Sequence, residues 1–98
     1  MIIIIWEYEV KAEKISEFEE IYSPNGVWVE LFKRSAGYLG TELLRDEKHP
    51  QRYITIDRWA SKESYEAFQY QWKQEYNALD AQCEGLTEQE TLIGKMTG

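Results

Sequence analysis

The sequence predicts an α+β fold in the order βαββαβ: a four-stranded antiparallel sheet with its helices on one face. Three observations carry this. Apolar and polar residues alternate from Ile2, Tyr38 and Arg52, apolar residues recur at helical spacing from Glu13 and Ser61, and serine, proline or glycine separates these segments. Ninety-eight residues without linker, repeat or low-complexity tract suit one domain, 1–98.

The first strand is expected from about Ile2 to Val10, with Ile4, Trp6, Tyr8 and Val10 on one face and Ile3, Ile5, Glu7 and Glu9 on the other. The apolar run after Met1 is too short for a signal peptide and has no basic leader, so it reads as strand. Glu13 to Tyr22 follows as a helix with Ile15, Phe18 and Ile21/Tyr22 on one stripe. Ser23-Pro24 has the chemistry of an N-cap and first helical position, which predicts a new helix burying Trp28, Leu31 and Phe32 and ending by Gly37. The second strand spans Tyr38 to Arg45. Pro50 suits the entrance of the third strand, where its missing N–H costs least. The spacing of Tyr65, Phe68, Trp72, Tyr76 and Leu79 predicts one helix sustained from Ser61 until Gly85, and Glu88 to Met96 is the last strand.

Composition narrows the function. The net charge of −7 disfavours a phosphate backbone, and the sheet lacks the basic and aromatic signature of an RNA-binding module. No nucleic acid and no membrane is expected as partner, and the cytoplasm is the default location. The single cysteine, Cys83, forms no internal disulfide. One histidine, His49, and one cysteine far apart make no metal site. Glu17, Glu19 and Glu20 read as a solvated helix surface, and no glycine-rich phosphate loop or nucleophile–base pair is present. Four Trp, seven Tyr and three Phe exceed what so small a core requires, so some line a pocket or face a second subunit.

The segment RYITIDRWASKESYEAF, Arg52 to Phe68, is the most informative. On its strand Tyr53, Thr55, Asp57 and Trp59 share a face. Ser61 is placed to cap the next helix, with Glu63 in its first turn, so Trp59 and Tyr65 meet across the corner. A ligand is expected there. On the opposite faces Ile3, Ile5, Ile54 and Ile56 would leave an apolar patch on an open sheet. Each such residue gains roughly 1.5–3 kcal/mol on burial, which predicts a homodimer packed through that face.

The order of elements, with GYLGTELLRD before a turn, then RYITIDRW and SKESYEAF, resembles the antibiotic biosynthesis monooxygenase (ABM) domain of the dimeric α/β-barrel superfamily. The resemblance extends from Ile2 to Met96. It implies a ferredoxin-like domain whose dimer forms an α/β barrel. It also implies a cofactor-independent monooxygenase that oxidises a small aromatic or quinol with dioxygen, with no metal, flavin or haem. Members of known activity have a tryptophan at the strand end and a tyrosine six residues later, which Trp59 and Tyr65 match. This makes Trp59 a ring-stacking wall and Tyr65 a hydrogen-bond donor to a phenolic oxygen, with Phe68 lining the ligand beside them. An asparagine four residues before that tryptophan is replaced by Thr55, a minor polar contact. The family's arginine, about twenty residues after it, would fall near Leu79 and is missing unless Arg34, Arg45 or Arg58 supplies it.

Asp57, if buried beside Trp59, would have a raised pKa suited to taking a phenol proton; the other reading is an ion pair with Arg45 or Arg52. Haem degradation on this scaffold needs a histidine on the second-half helix, and Ser61 to Gly85 contains none. The alternative to catalysis is a small-ligand-binding or stress-associated dimer in which the same aromatics fill space.

Overall fold

The computed structural model describes residues 1–98. Strand β1 is Ile2–Val10, β2 Tyr38–Arg45, β3 Arg52–Trp59 and β4 Thr87–Thr97. They form one antiparallel sheet in the order β2-β3-β1-β4. Helices α1 (Ile15–Tyr22), α2 (Val27–Phe32), α3 (Lys62–Gln71) and α4 (Lys73–Cys83) cover one face. This is the expected ferredoxin-like arrangement. No helix is long and apolar enough to cross a membrane.

The alternation in β1 and β3 decides which side chains meet the helices. Ile2, Ile4, Tyr8 and Val10 are buried on β1, and Tyr53, Thr55, Asp57 and Trp59 on β3. Rings then run edge to face across the core: Tyr8 against Phe18 at 5.3 Å, Phe32 against Trp59 at 5.6 Å and Phe32 against Phe68 at 5.5 Å. Each such pair adds roughly 0.5–1.5 kcal/mol beyond its burial. On the other face Ile3, Ile5, Ile54 and Ile56 are half-buried within the single chain, and Leu44 and Met96 are exposed beside them.

Three local expectations are corrected. The helix expected at Pro24 begins at Val27 with Gly26 as its N-cap. Ser23 instead closes a turn, its Oγ accepting the Asn25 N–H at 3.2 Å and donating to the Glu20 carbonyl. The chain enters the α1 helix through a 3-10 turn at Ala12–Lys14, so α1 proper begins at Ile15. The helix expected to run unbroken from Ser61 bends at Trp72 (φ −111°, ψ 25°), which separates α3 from α4. The bend aims Phe68 at Trp59, 5.0 Å away, and Tyr76 at Trp28, 5.1 Å away.

Two glycines are required by geometry. Gly40, at φ +146°, follows a bulge in β2 that leaves Leu39 unpaired against β3. At Gly37 a Cβ would come within 2.4 Å of the Ser64 side chain, so its absence lets β2 start against the first turn of α3. Ser61 caps that helix as expected, accepting the Ser64 N–H at 3.1 Å, and Ser64 Oγ accepts the Ser61 N–H in return.

Candidate active site

The helix-facing row of β3 places two different environments two residues apart. At its end, Trp59 is fully buried and touches Phe32, Tyr38, Tyr65 and Phe68. Trp59 and Tyr65 do meet across the corner, with ring centroids 5.4 Å apart. The Trp59 Nε1 N–H is buried with no acceptor, and the Tyr65 hydroxyl accepts from Gln69 Nε2 at 3.0 Å.

Asp57 is buried and touches no cation. The ion pair with Arg45 or Arg52 does not form: Arg45 bonds the Pro50 carbonyl and lies near Glu19, and Arg52 bonds Glu7 and Asp46. Asp57 receives instead one strong hydrogen bond, from Thr41 Oγ1 to Oδ1 at 2.6 Å. Having given its proton, Thr41 accepts from the Tyr38 hydroxyl, also at 2.6 Å. Strand pairing creates this chain, because Thr41 lies opposite Asp57. Loss of water raises the Asp57 carboxyl from its ordinary 3.8 to about 6, and the Thr41 bond restrains the rise.

Between sheet and helices lies a cleft of about 40 Å³. Its walls are aromatic: Trp6, Tyr8, Tyr22, Trp28, Phe32 and Tyr76. Thr41, Thr55, Asp57 and Glu90 are its non-aromatic lining residues. Thr55 Oγ1 and the Tyr8 hydroxyl are 3.2 Å apart. Burial holds the Tyr8 and Tyr76 hydroxyls protonated, well above the usual phenol range, and also raises Glu90, with Asp80 adding to the shift.

Residues 1–71 match the family model described as antibiotic biosynthesis monooxygenase. The chain belongs to the ABM family. Solved structures repeat the ABM fold. SnoaB, a cofactor-independent oxygenase from Streptomyces nogalater, is 20% identical with a TM-score of 0.73, the match covering 99% of this chain and 91% of that one. PA3566 from Pseudomonas aeruginosa is 14% identical with a TM-score of 0.71, covering 99% and 92%. A mutant of MhuD, solved with two manganese protoporphyrin IX bound per active site, is 22% identical with a TM-score of 0.69, covering 100% and 94%. A search of curated proteins found no match.

The candidate site residues named from the sequence fall into two groups. Thr55 and Asp57 line the cleft; Trp59, Tyr65 and Phe68 lie outside its lining, in the packed corner beyond Phe32. No arginine takes the place of the missing one: Arg34 lies over the Trp72 ring at 4.8 Å, and Arg58 pairs with Glu42. Glu19 is not simply solvated, since it accepts from the buried Tyr53 hydroxyl. A porphyrin iron would find no histidine ligand at this site. The cleft offers no imidazole, and His49 stands in the exposed turn beyond the far end of β3. Sequence reasoning missed Thr41, Tyr76 and Glu90, which join the site only through strand register and the bend at Trp72.

Proposed function

We propose that this ABM protein is a cofactor-independent monooxygenase acting on a small phenol or quinol-type aromatic with dioxygen. The observation that carries the reading is Asp57, a buried carboxylate with no cation beside it and one oxygen left free by the chain, at the wall of an aromatic cleft. A base titrating at about 6 is ionised at neutral pH, yet basic enough to draw a phenolic proton. The resulting phenolate passes an electron to dioxygen. One oxygen atom becomes the new quinone carbonyl, and the other leaves as water with the hydrogen of the oxidised carbon and the proton that Asp57 took from the phenol.

The aromatic walls exclude water while this happens. In this reading the Tyr65 hydroxyl proton is the donor to a substrate oxygen, with Trp59 and Phe68 as the packed wall behind it and Thr55 as a polar contact. The working unit in this reading is a homodimer joined through Ile3, Ile5, Ile54 and Ile56. Sedimentation of a single-chain mass at micromolar protein would remove that part.

The tight packing of Trp59 and Phe68 and the small cleft favour a second reading, a non-catalytic small-ligand-binding or stress-associated dimer. Quinone formation from an anthrone or hydroquinone under air, followed by absorbance and oxygen uptake, separates the two. The oxygenase reading expects turnover that falls at least ~100-fold in Asp57→Asn. It also expects a loss in Tyr65→Phe and Trp59→Phe with the circular dichroism retained. A folded wild-type protein that binds such phenols without consuming oxygen is the second reading.

A further inference from the structure

We propose that the cleft selects an aromatic ligand carrying a positive charge, a phenol with a protonated amine on a short tail. Two carboxylates line it and no lysine, arginine or histidine does. The four arginines and Lys95 are used elsewhere. Arg34, Arg45, Arg52 and Arg58 are engaged as described, and Lys95, on the helix-facing side of β4, lies over the Tyr65 ring at 5.3 Å. Six aromatic side chains and two threonines form the remaining walls, and ring faces attract ammonium groups. A carboxylate drawing on such rings, with no cation of its own, is the arrangement a bound ammonium completes.

The sheet register separates the two acids. Asp57 lies opposite Ile4 and Glu90 opposite Tyr8, four positions further along β1 and on the other flanking strand. Four strand residues span about 13 Å, so one small group does not occupy both. Glu90, exposed on the edge strand, is the partner for the ammonium, among Tyr8, Tyr22, Trp28 and Tyr76. Asp57 is then left for the phenolic end. This rests on the oxygenase reading for the role of Asp57, whereas the charge preference is a property of binding alone.

The test compares three phenols of similar size under anaerobic conditions, by calorimetry or NMR titration of the whole protein at pH 7.5 and low salt. The probes are 4-(2-aminoethyl)phenol, 4-ethylphenol and 3-(4-hydroxyphenyl)propionate. The cation is expected to bind about tenfold more tightly than the neutral phenol, and the anion most weakly. Glu90→Gln should bring cation and neutral phenol within about twofold of each other. Glu20→Gln, which removes the same charge from an exposed site on α1, should leave the preference unchanged. Equal or better binding of the neutral or anionic phenol overturns the inference. So does failure of all three to bind at millimolar concentration, or a preference that survives Glu90→Gln or disappears equally in Glu20→Gln. An active oxygenase that prefers neutral phenols would sink this inference and leave the proposed function standing; an inert protein with the cation preference would do the reverse.

Discussion

Trp59 and Asp57 occupy the same face of the same strand, two residues apart, and are both more than nine-tenths buried. Yet one sits in a dry corner of four other rings, and the other at the wall of a cleft, tied to a chain of hydroxyls. The alternation of a strand delivers both side chains to the interior with equal force. What differs is the neighbour across the sheet and the helix above. Tyr38 and α3 close over Trp59, whereas Thr41 gives Asp57 a single donor at the wall of the cleft. The corner stabilises the fold, and the carboxylate costs stability.

The largest effect expected from breaking this contrast is in the corner. Trp59→Ala removes a fully buried indole and should destabilise the chain by about 3–5 kcal/mol in urea unfolding. A loss under 1 kcal/mol would mean that the corner is not packed as described.

Asp57→Asn should act in the opposite direction. The folded pKa of about 6 lies above the ordinary 3.8, so between these two values the folded chain holds a proton that the unfolded chain has released. The stability associated with that proton is full below the unfolded value and is lost as pH rises through about 6. At pH 7.5 the amide should therefore stabilise the fold by about 2–3 kcal/mol while removing the base. The gain should vanish below pH 4. A variant no more stable than wild type at pH 7.5 would place Asp57 in contact with water or a cation.

A smaller effect sharpens the role of the hydroxyl chain. Thr41→Val deletes the one hydrogen bond that favours the ionised carboxylate, so the Asp57 pKa should move upward from about 6. The acid limb of any pH–activity profile should shift to higher pH with it, and carboxyl-carbon NMR would read the same shift without turnover. The smallest change is expected at the cap between the two regions. Ser61→Ala removes the acceptor for the Ser64 N–H and should cost about 1 kcal/mol, with no change in the Asp57 titration.

Much of this contrast was legible in the chain, and the limit has a physical form. Trp59 and Tyr65 are six residues apart across a capped turn, so strand alternation, the Ser61 cap and helical spacing suffice to bring them together. Ser23-Pro24 misled because a serine oxygen satisfies a turn N–H as well as it satisfies a helix N-terminus. The bend at Trp72 was hidden because apolar spacing reports which face is buried and does not report whether the axis is straight.

The sequence by itself determined the order of the elements, the faces of the strands, the isoleucine side of the sheet and the Trp59–Tyr65 contact. All of these depend on residues within a few positions of one another. Only the tertiary structure decided that Thr41 would bond Asp57, that the arginines would pair elsewhere, and that Glu90 would line the cleft. Those contacts bridge separate strands, and their register is displaced by the bulge at Leu39 and by a second one in β4 that leaves Ile93 unpaired. A slip of one residue turns a side chain to the opposite face, so cross-strand chemistry is fixed only when the whole sheet is assembled.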